Sequence, residues 1–138
     1  MMVSTRGRYA LLVMMDLAEH ETKGFVSLKE VADRQQISMK YLEAIVGMLN
    51  RAGMLESKRG KEGGYRLLRP ASDYSIGEIL KLTEGSLAPV ACMEDQACVD
   101  CAQSTGCQTL PLWQKLDDMI EGYLSRVTLQ DLMRGDMK

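Results

Sequence analysis

The sequence predicts a mainly helical chain broken once by a short β-hairpin. Three observations carry this. Ser27-Leu-Lys-Glu30 and Ser75-Ile-Gly-Glu78 are S-x-x-E capping boxes, each opening an apolar run of helical period. Residues 54–68 read as two short arms around a turn rich in glycine and cations. From Leu112 to Val127, apolar residues recur on one helical face for about five turns.

The 138 residues, 46% of them hydrophobic, suffice for one domain with a modest core. No apolar run approaches the roughly 18 residues of a membrane span, and no secretory leader pattern opens the chain. A cytoplasmic location is therefore expected. The net charge is −2, but its distribution is uneven. Residues 1–69 carry 12 Lys and Arg against 8 Asp and Glu, a net of +4; residues 70–138 carry 5 against 11, a net of −6. A basic first half suits a nucleic-acid-facing end, although chance asymmetry also fits.

Residues 5–19 read as a helix with apolar residues on nearly every face, so burial on most sides is expected, in part against a second subunit. Arg6 and Arg8 sit where they oppose the helix dipole, which hints at a phosphate contact. His20, the only histidine, falls near the helix end; a terminal histidine and a metal ligand are both open readings. The Ser27 box opens a short helix to about Gln35, and Gln36-Ile37 is a tight break. Ser38 then caps a helix to about Ala52. Leu42, Ile45, Val46 and Leu49 form its buried stripe, while Lys40, Glu43, Gly47, Asn50 and Arg51 lie opposite. Gly53 closes it. Two short helices joined this way make a helix-turn-helix candidate, though any paired helices look similar.

The next stretch sharpens that reading. Its turn carries Lys58, Arg59 and Lys61 among three glycines, which permit positive φ and close backbone approach. Cations on a narrow turn can enter a minor groove or clamp a phosphate. Directly after a helix-turn-helix, such a hairpin is the wing of a winged helix. The Ser75 box opens a helix to about Glu84, ended by Gly85, with Ile76, Ile79 and Leu80 inward. Thr109 is placed to cap the last long helix, with Pro111 in its first turn. The stripe Leu112, Trp113, Leu116, Met119, Ile120, Tyr123, Leu124 and Val127 has few other elements to cover it, so a homodimer interface is expected; packing on its own domain is the alternative. Thr128-Leu-Gln-Asp131 starts a short terminal turn.

Between these helices lies C-x5-C-x2-C-x5-C, with Cys92, Cys98, Cys101 and Cys107 inside sixteen residues that lack apolar periodicity. Such a segment cannot order itself by packing. Four thiolates can order it by binding a soft metal centre. In a reducing compartment, ligands or redox sensors fit better than structural disulfides. The sole histidine is far from the cysteines in sequence, so no Cys–His nucleophile pair stands out and an enzyme is not expected.

The chain resembles the Rrf2 family of bacterial winged-helix transcription regulators along essentially its whole length. The resemblance rests on Ser4-Thr-Arg-Gly-Arg-Tyr-Ala10, Ile37-Ser-Met-Lys-Tyr-Leu-Glu43, Arg59-Gly-Lys-Glu-Gly-Gly-Tyr65, Thr83-Glu-Gly85 and Leu112-Trp113. It implies a winged-helix DNA-binding domain over 1–85, a cysteine-rich sensor loop over 86–108 and a dimerisation helix with its tail over 109–138. It further implies a homodimer on a pseudo-palindromic operator of double-stranded DNA, with no membrane and no small-molecule substrate. Ser38, Lys40, Tyr41 and Glu43 on the helix, with Arg59 and Gly60 in the wing, then map to the reading residues, and Ser4, Thr5 and Arg6 to the DNA backbone. Glu43 can accept from cytosine N4; a solvated helix charge is its alternative. Many members hold an iron-sulfur cluster with three cysteines, which map to Cys92, Cys107 and one of Cys98 or Cys101. The histidine that iron-regulating members place three residues after the third cysteine is Leu110 here. The first-helix carboxylate of nitric-oxide-sensing members falls in Arg6-Gly-Arg8-Tyr9, which has none. A fourth thiolate fills that gap. The cluster is either 2Fe-2S or 4Fe-4S, and zinc or thiol–disulfide sensing stays open. The alternative function is a cysteine-metabolism repressor controlled by a partner enzyme.

Overall fold

The computed structural model describes residues 3–93 and 107–137. Helix α1 spans Thr5–His20, α2 Leu28–Gln35 and α3 Met39–Arg51. The antiparallel strands β1 (Leu55–Lys58) and β2 (Gly64–Leu67) follow, in register Leu55 with Leu67 and Lys58 with Gly64. Helix α4 spans Ile76–Glu84, α5 Leu110–Arg126 and α6 Leu129–Arg134. Single 3-10 turns occupy Glu21–Lys23, Ala71–Asp73 and Ala91–Met93. The fold is that of a winged helix extended by a long helix.

The starts and stops follow the local chemistry. Ser27 accepts from the Glu30 N–H and Glu30 reaches back to Ser27; Ser75 with Glu78 and Thr128 with Asp131 do the same. Each box satisfies two otherwise orphaned amides. Gln36 takes left-handed dihedrals (φ 56°, ψ 45°) and turns the chain between α2 and α3. Thr109 departs from expectation. It is already in the helical region (φ −90°, ψ −12°) and makes no side-chain cap, because an N-cap needs extended dihedrals.

One core serves all of this. Ala10, Val13, Met14 and Leu17 of α1 pack with Val31, Leu42, Ile45, Leu49, Ile79, Leu80, Val127 and Leu129, all 8% exposed or less. Each fully buried aliphatic residue contributes on the order of 1.5–3 kcal/mol. Helices α2, α3, α4 and α6 and strand β2 all pack on α1.

Two polar joints sit inside that core. Asp16 of α1 is 1% exposed. Arg34 of α2 grips its carboxylate with both arms, Nε to Oδ2 at 3.0 Å and Nη2 to Oδ1 at 2.7 Å, and Gln35 donates to Oδ2 at 2.9 Å. His20 Nδ1 donates to the Asp16 carbonyl at 2.8 Å, which gives the histidine a structural post at the helix end. The second joint is Tyr74, fully buried, whose hydroxyl donates to the Met54 carbonyl at 2.6 Å and accepts from the Arg69 amide at 3.2 Å. Its carbonyl accepts from Leu129 at 2.8 Å. Tyr74 thereby ties the foot of the hairpin to the end of the chain.

Asp16 carries a prediction. Burial raises its pKa, but the Arg34 and Gln35 hydrogen bonds and the neighbouring positive charge outweigh that and hold it below the usual value. A depressed carboxylate contributes stability above its unfolded pKa, about 4, and loses it as pH falls through the lower folded value. Asp16→Asn should cost roughly 2 kcal/mol in urea unfolding at pH 7. The gap to the wild-type chain should close as the titration moves well below pH 4. An equal gap at both pH values would show that the charge of Asp16 contributes nothing.

Candidate nucleic-acid interface

The first turn of α3 presents Ser38, Lys40, Tyr41 and Glu43 to solvent, while Leu42, Ile45, Val46 and Leu49 hold the other side in the core. Ser38 Oγ accepts from the Tyr41 amide at 3.3 Å, so this residue both caps α3 and lies on its exposed end. The Tyr41 ring meets Tyr9 of α1 edge to face, centroids 5.6 Å apart. That contact brings the exposed starts of α1 and α3 to one side of the molecule. Among the described residues, no hydrogen bond or ion pair engages the side chains of Lys40, Glu43 or Arg59.

The hairpin is braced at its base and open at its tip. Arg66 Nε lies 2.9 Å from Glu56 Oε2 across the strands. The Arg66 guanidinium stands 4.3 Å over the Phe25 ring, and Lys58 Nζ lies 5.7 Å from it. Val26 and Tyr65 exchange backbone bonds of 2.9 and 2.8 Å, adding a one-residue third edge. Gly63 and Gly64 are required by the chain itself: a Cβ on Gly63 would overlap the Lys58 carbonyl, and one on Gly64 the backbone of Val26. Gly60 is different. It has φ 109° and open space around it, beside exposed Arg59 and Lys61 at the tip.

At the start of α1, Thr5 and Arg6 are exposed, but Ser4 is half-buried and occupied. Its hydroxyl donates to Glu84 Oε1 at 2.7 Å and accepts from the Gly7 amide at 3.1 Å, and its own amide donates to Glu84 Oε1 at 2.8 Å. Both polar groups of Ser4 thus serve the fold. A direct hydroxyl contact to DNA, as the resemblance implies, would compete with these bonds.

Of the cysteines, Cys98 and Cys101 lie outside the described residues. The backbone of Cys92 is in the turn Ala91–Met93, after the buried pair Leu87 and Ala88. Cys107 is half-buried just before α5. Its Sγ lies 3.3 Å from Thr109 Oγ1, and its carbonyl accepts from the Leu110 amide at 3.3 Å. The Thr109 hydroxyl, then the Thr109 and Leu110 amides, lower the thiol pKa and favour the thiolate that a soft metal needs.

The long helix has two apolar faces. Ile120 and Leu124 pack on the chain's own core, with Leu124 backbone 3.3 Å from where a Gly77 Cβ would stand. Lys81 and Glu121 bridge α4 and α5 at 2.7 Å. Leu112 (59%), Leu116 (37%), Met119 (59%) and Tyr123 (36%) stay exposed, and Trp113 is half-buried. Val127 corrects the expected interface. At 3% exposure in the single chain it belongs to the core beyond the end of α5 and has no surface to offer a partner.

The Rrf2 family profile, described as iron-dependent transcriptional regulator, matches residues 3–135. The chain belongs to the Rrf2 family. It is 37% identical over 136 residues to the HTH-type transcriptional regulator IscR of Photobacterium profundum, covering 99% of this chain and 77% of that protein. Among solved structures it resembles CymR, the global cysteine regulator of B. subtilis, with TM-score 0.81 and 33% identity over 98% of both chains. It also resembles IscR of T. potens, with TM-score 0.73 and 36% identity over 98% of this chain and 88% of that one. This Rrf2 protein is accordingly a winged-helix transcriptional regulator. No described helix is long and apolar enough to cross a membrane.

Two expected reader positions are told apart by salt dependence and by sequence choice. Arg59→Ala should weaken DNA binding and lower its salt slope by about one if the tip clamps a phosphate. Glu43→Ala should instead broaden the sequences recovered in a binding-site selection, with little change in non-specific affinity. An unchanged selection would remove Glu43 from the reading set.

Proposed function

We propose that this regulator binds a pseudo-palindromic operator as a cytoplasmic homodimer, and that an iron-sulfur cluster on the cysteine segment modulates that binding. The observation that supports the switch is the place of Cys107. Its thiol is biased toward the thiolate and stands at the foot of α5, the helix with an exposed apolar face. The segment leaves α4 at one end and enters α5 at the other, and those helices pack on each other. Cys92, Cys98, Cys101 and Cys107 would hold the cluster; once bound, it supplies an iron- and oxidation-sensitive link between the two ends. Ordering that joint would set how α5 stands relative to the winged helix, and hence the half-site spacing a dimer presents.

The exposed residues of α5 support the dimer. Leu112, Leu116, Met119 and Tyr123 are spaced four, three and four apart, the seam by which one helix packs along another. A second copy offers the matching seam by symmetry. The likeness to CymR, over 98% of both chains, favours as a second reading the same scaffold under control of a partner enzyme of cysteine supply.

Met119→Asp with Tyr123→Asp should yield a monomer in sedimentation that binds operator DNA poorly; a dimer of wild-type affinity would exclude this face.

Absorption and electron paramagnetic resonance spectra of anaerobically purified protein test the cluster. Cys92→Ser and Cys107→Ser should abolish the signal. Loss with both Cys98→Ser and Cys101→Ser would mean four thiolate ligands. With three ligands one of these two is silent, and the C-x5-C spacing to Cys107 makes Cys98 the expected spare. Colourless protein carrying stoichiometric zinc after reconstitution with iron and sulfide would overturn the cluster.

A further inference from the structure

Glu84 is placed against its own helix and in favour of another. It is the last residue of α4, where the helix dipole disfavours a carboxylate. Helix α1 has no acidic residue in its first turn and carries Arg6 and Arg8 there, so its N-terminus lacks the anion it favours. Glu84 Oε1 supplies one from 80 residues away by accepting both the Ser4 amide (2.8 Å) and the Ser4 hydroxyl (2.7 Å). The contact is close because residue 7 is glycine: a Cβ there would overlap Glu84 Oε1 and come within 3.0 Å of Thr83 Oγ1. On the other side of Glu84, Gly85 (φ 80°) ends α4 through a 2.8 Å bond to the Lys81 carbonyl. The chain then buries Leu87 and Ala88 and reaches Cys92.

We propose that Glu84 is a positioning residue for DNA binding: by holding Ser4 it fixes the first turn of α1, and so sets where Thr5 and Arg6 meet the DNA backbone. Glu84 lies at the end of α4, where the chain leaves toward the cysteines. This rests on the DNA-binding reading above.

The test uses the full chain, with Glu84→Ala and Glu84→Gln. The glutamine keeps an acceptor for Ser4 and removes the charge. On operator DNA selected with the wild-type protein, Glu84→Ala should lose about ten-fold in affinity and about one in salt slope. Glu84→Gln should recover most of both. A role in stability alone would lower the unfolding midpoint and leave affinity and slope of the folded protein unchanged, which overturns the proposal. Amide exchange of the free protein reads the lock without DNA. Glu84→Ala should speed exchange across residues 4–8 and leave α3 protected, and unchanged exchange would overturn the lock. Wild-type protein that binds no selected DNA, with exchange behaving as expected, would overturn the DNA-binding reading and leave the lock standing.

Discussion

Helix α1 must touch five elements at once, and most of the structure follows from how it does so. Its apolar residues meet α3, α4, α6 and β2, while Asp16 meets α2 and Gly7 meets the end of α4. Its buried positions Gly7, Ala10, Val13, Met14, Asp16 and Leu17 make one broad face, with Arg8, Leu12 and Glu19 exposed opposite. Within that face the sequence shows small or polar exceptions where one neighbour comes too close or needs a partner. Asp16 is such an exception. Alone in the core it would cost several kcal/mol, and its pair with Arg34 is tolerated because Gln35 and the bidentate geometry fill its remaining acceptor sites. The pair also fixes the angle of α2, and through the Gln36 turn the angle at which α3 leaves.

What was legible in the sequence was local. The capping boxes at Ser27 and Ser75 set the starts of α2 and α4, because donor and acceptor lie three residues apart. The stripe in α3 and the turn of the hairpin were legible for the same reason. The polar joints were not. Asp16 sits inside an apolar run with its partner 18 residues on; Tyr74 lies in what reads as a connection, with its partner 20 residues back; Glu84 finds Ser4 at a separation of 80. Periodicity carries no signal for a pair of that kind. A faint one existed for Glu84, since an anion at a helix C-terminus and cations at a helix N-terminus both break the dipole rule. Thr109 shows the opposite failure: a residue of capping type beside a thiol bonds the thiol and leaves the helix uncapped.

The stripe on α5 was legible as a stripe but not as two faces. Ile120 and Leu124 dock α5 on α4, Val127 sinks into the shared core, and Leu112, Leu116, Met119 and Tyr123 are left outside. Among the described residues, the core contacts of α5 lie in its C-terminal half, at Ile120 and Leu124, and its first turns carry none of the core residues.

The side chains proposed to read DNA are separated from the groups that build their frame. Backbone position on α3 is fixed by the Ser38 cap, the Gln36 turn and four buried aliphatic residues. Hairpin position is fixed by Phe25, the Glu56–Arg66 pair, the Val26–Tyr65 bridge and Tyr74. Lys40, Glu43 and Arg59 contribute to none of these supports. Substituting an exposed side chain without intramolecular partners changes stability by only about 0.5 kcal/mol. Such positions can therefore vary with the operator while the frame is held. The basic reader and the acidic C-terminal half divide along the same line, since the helix that carries the exposed apolar seam also carries Asp117, Asp118 and Glu121. Those carboxylates would be repelled by phosphate, which favours the proposed placement of α1, α3 and the hairpin tip toward DNA and of α5 away from it.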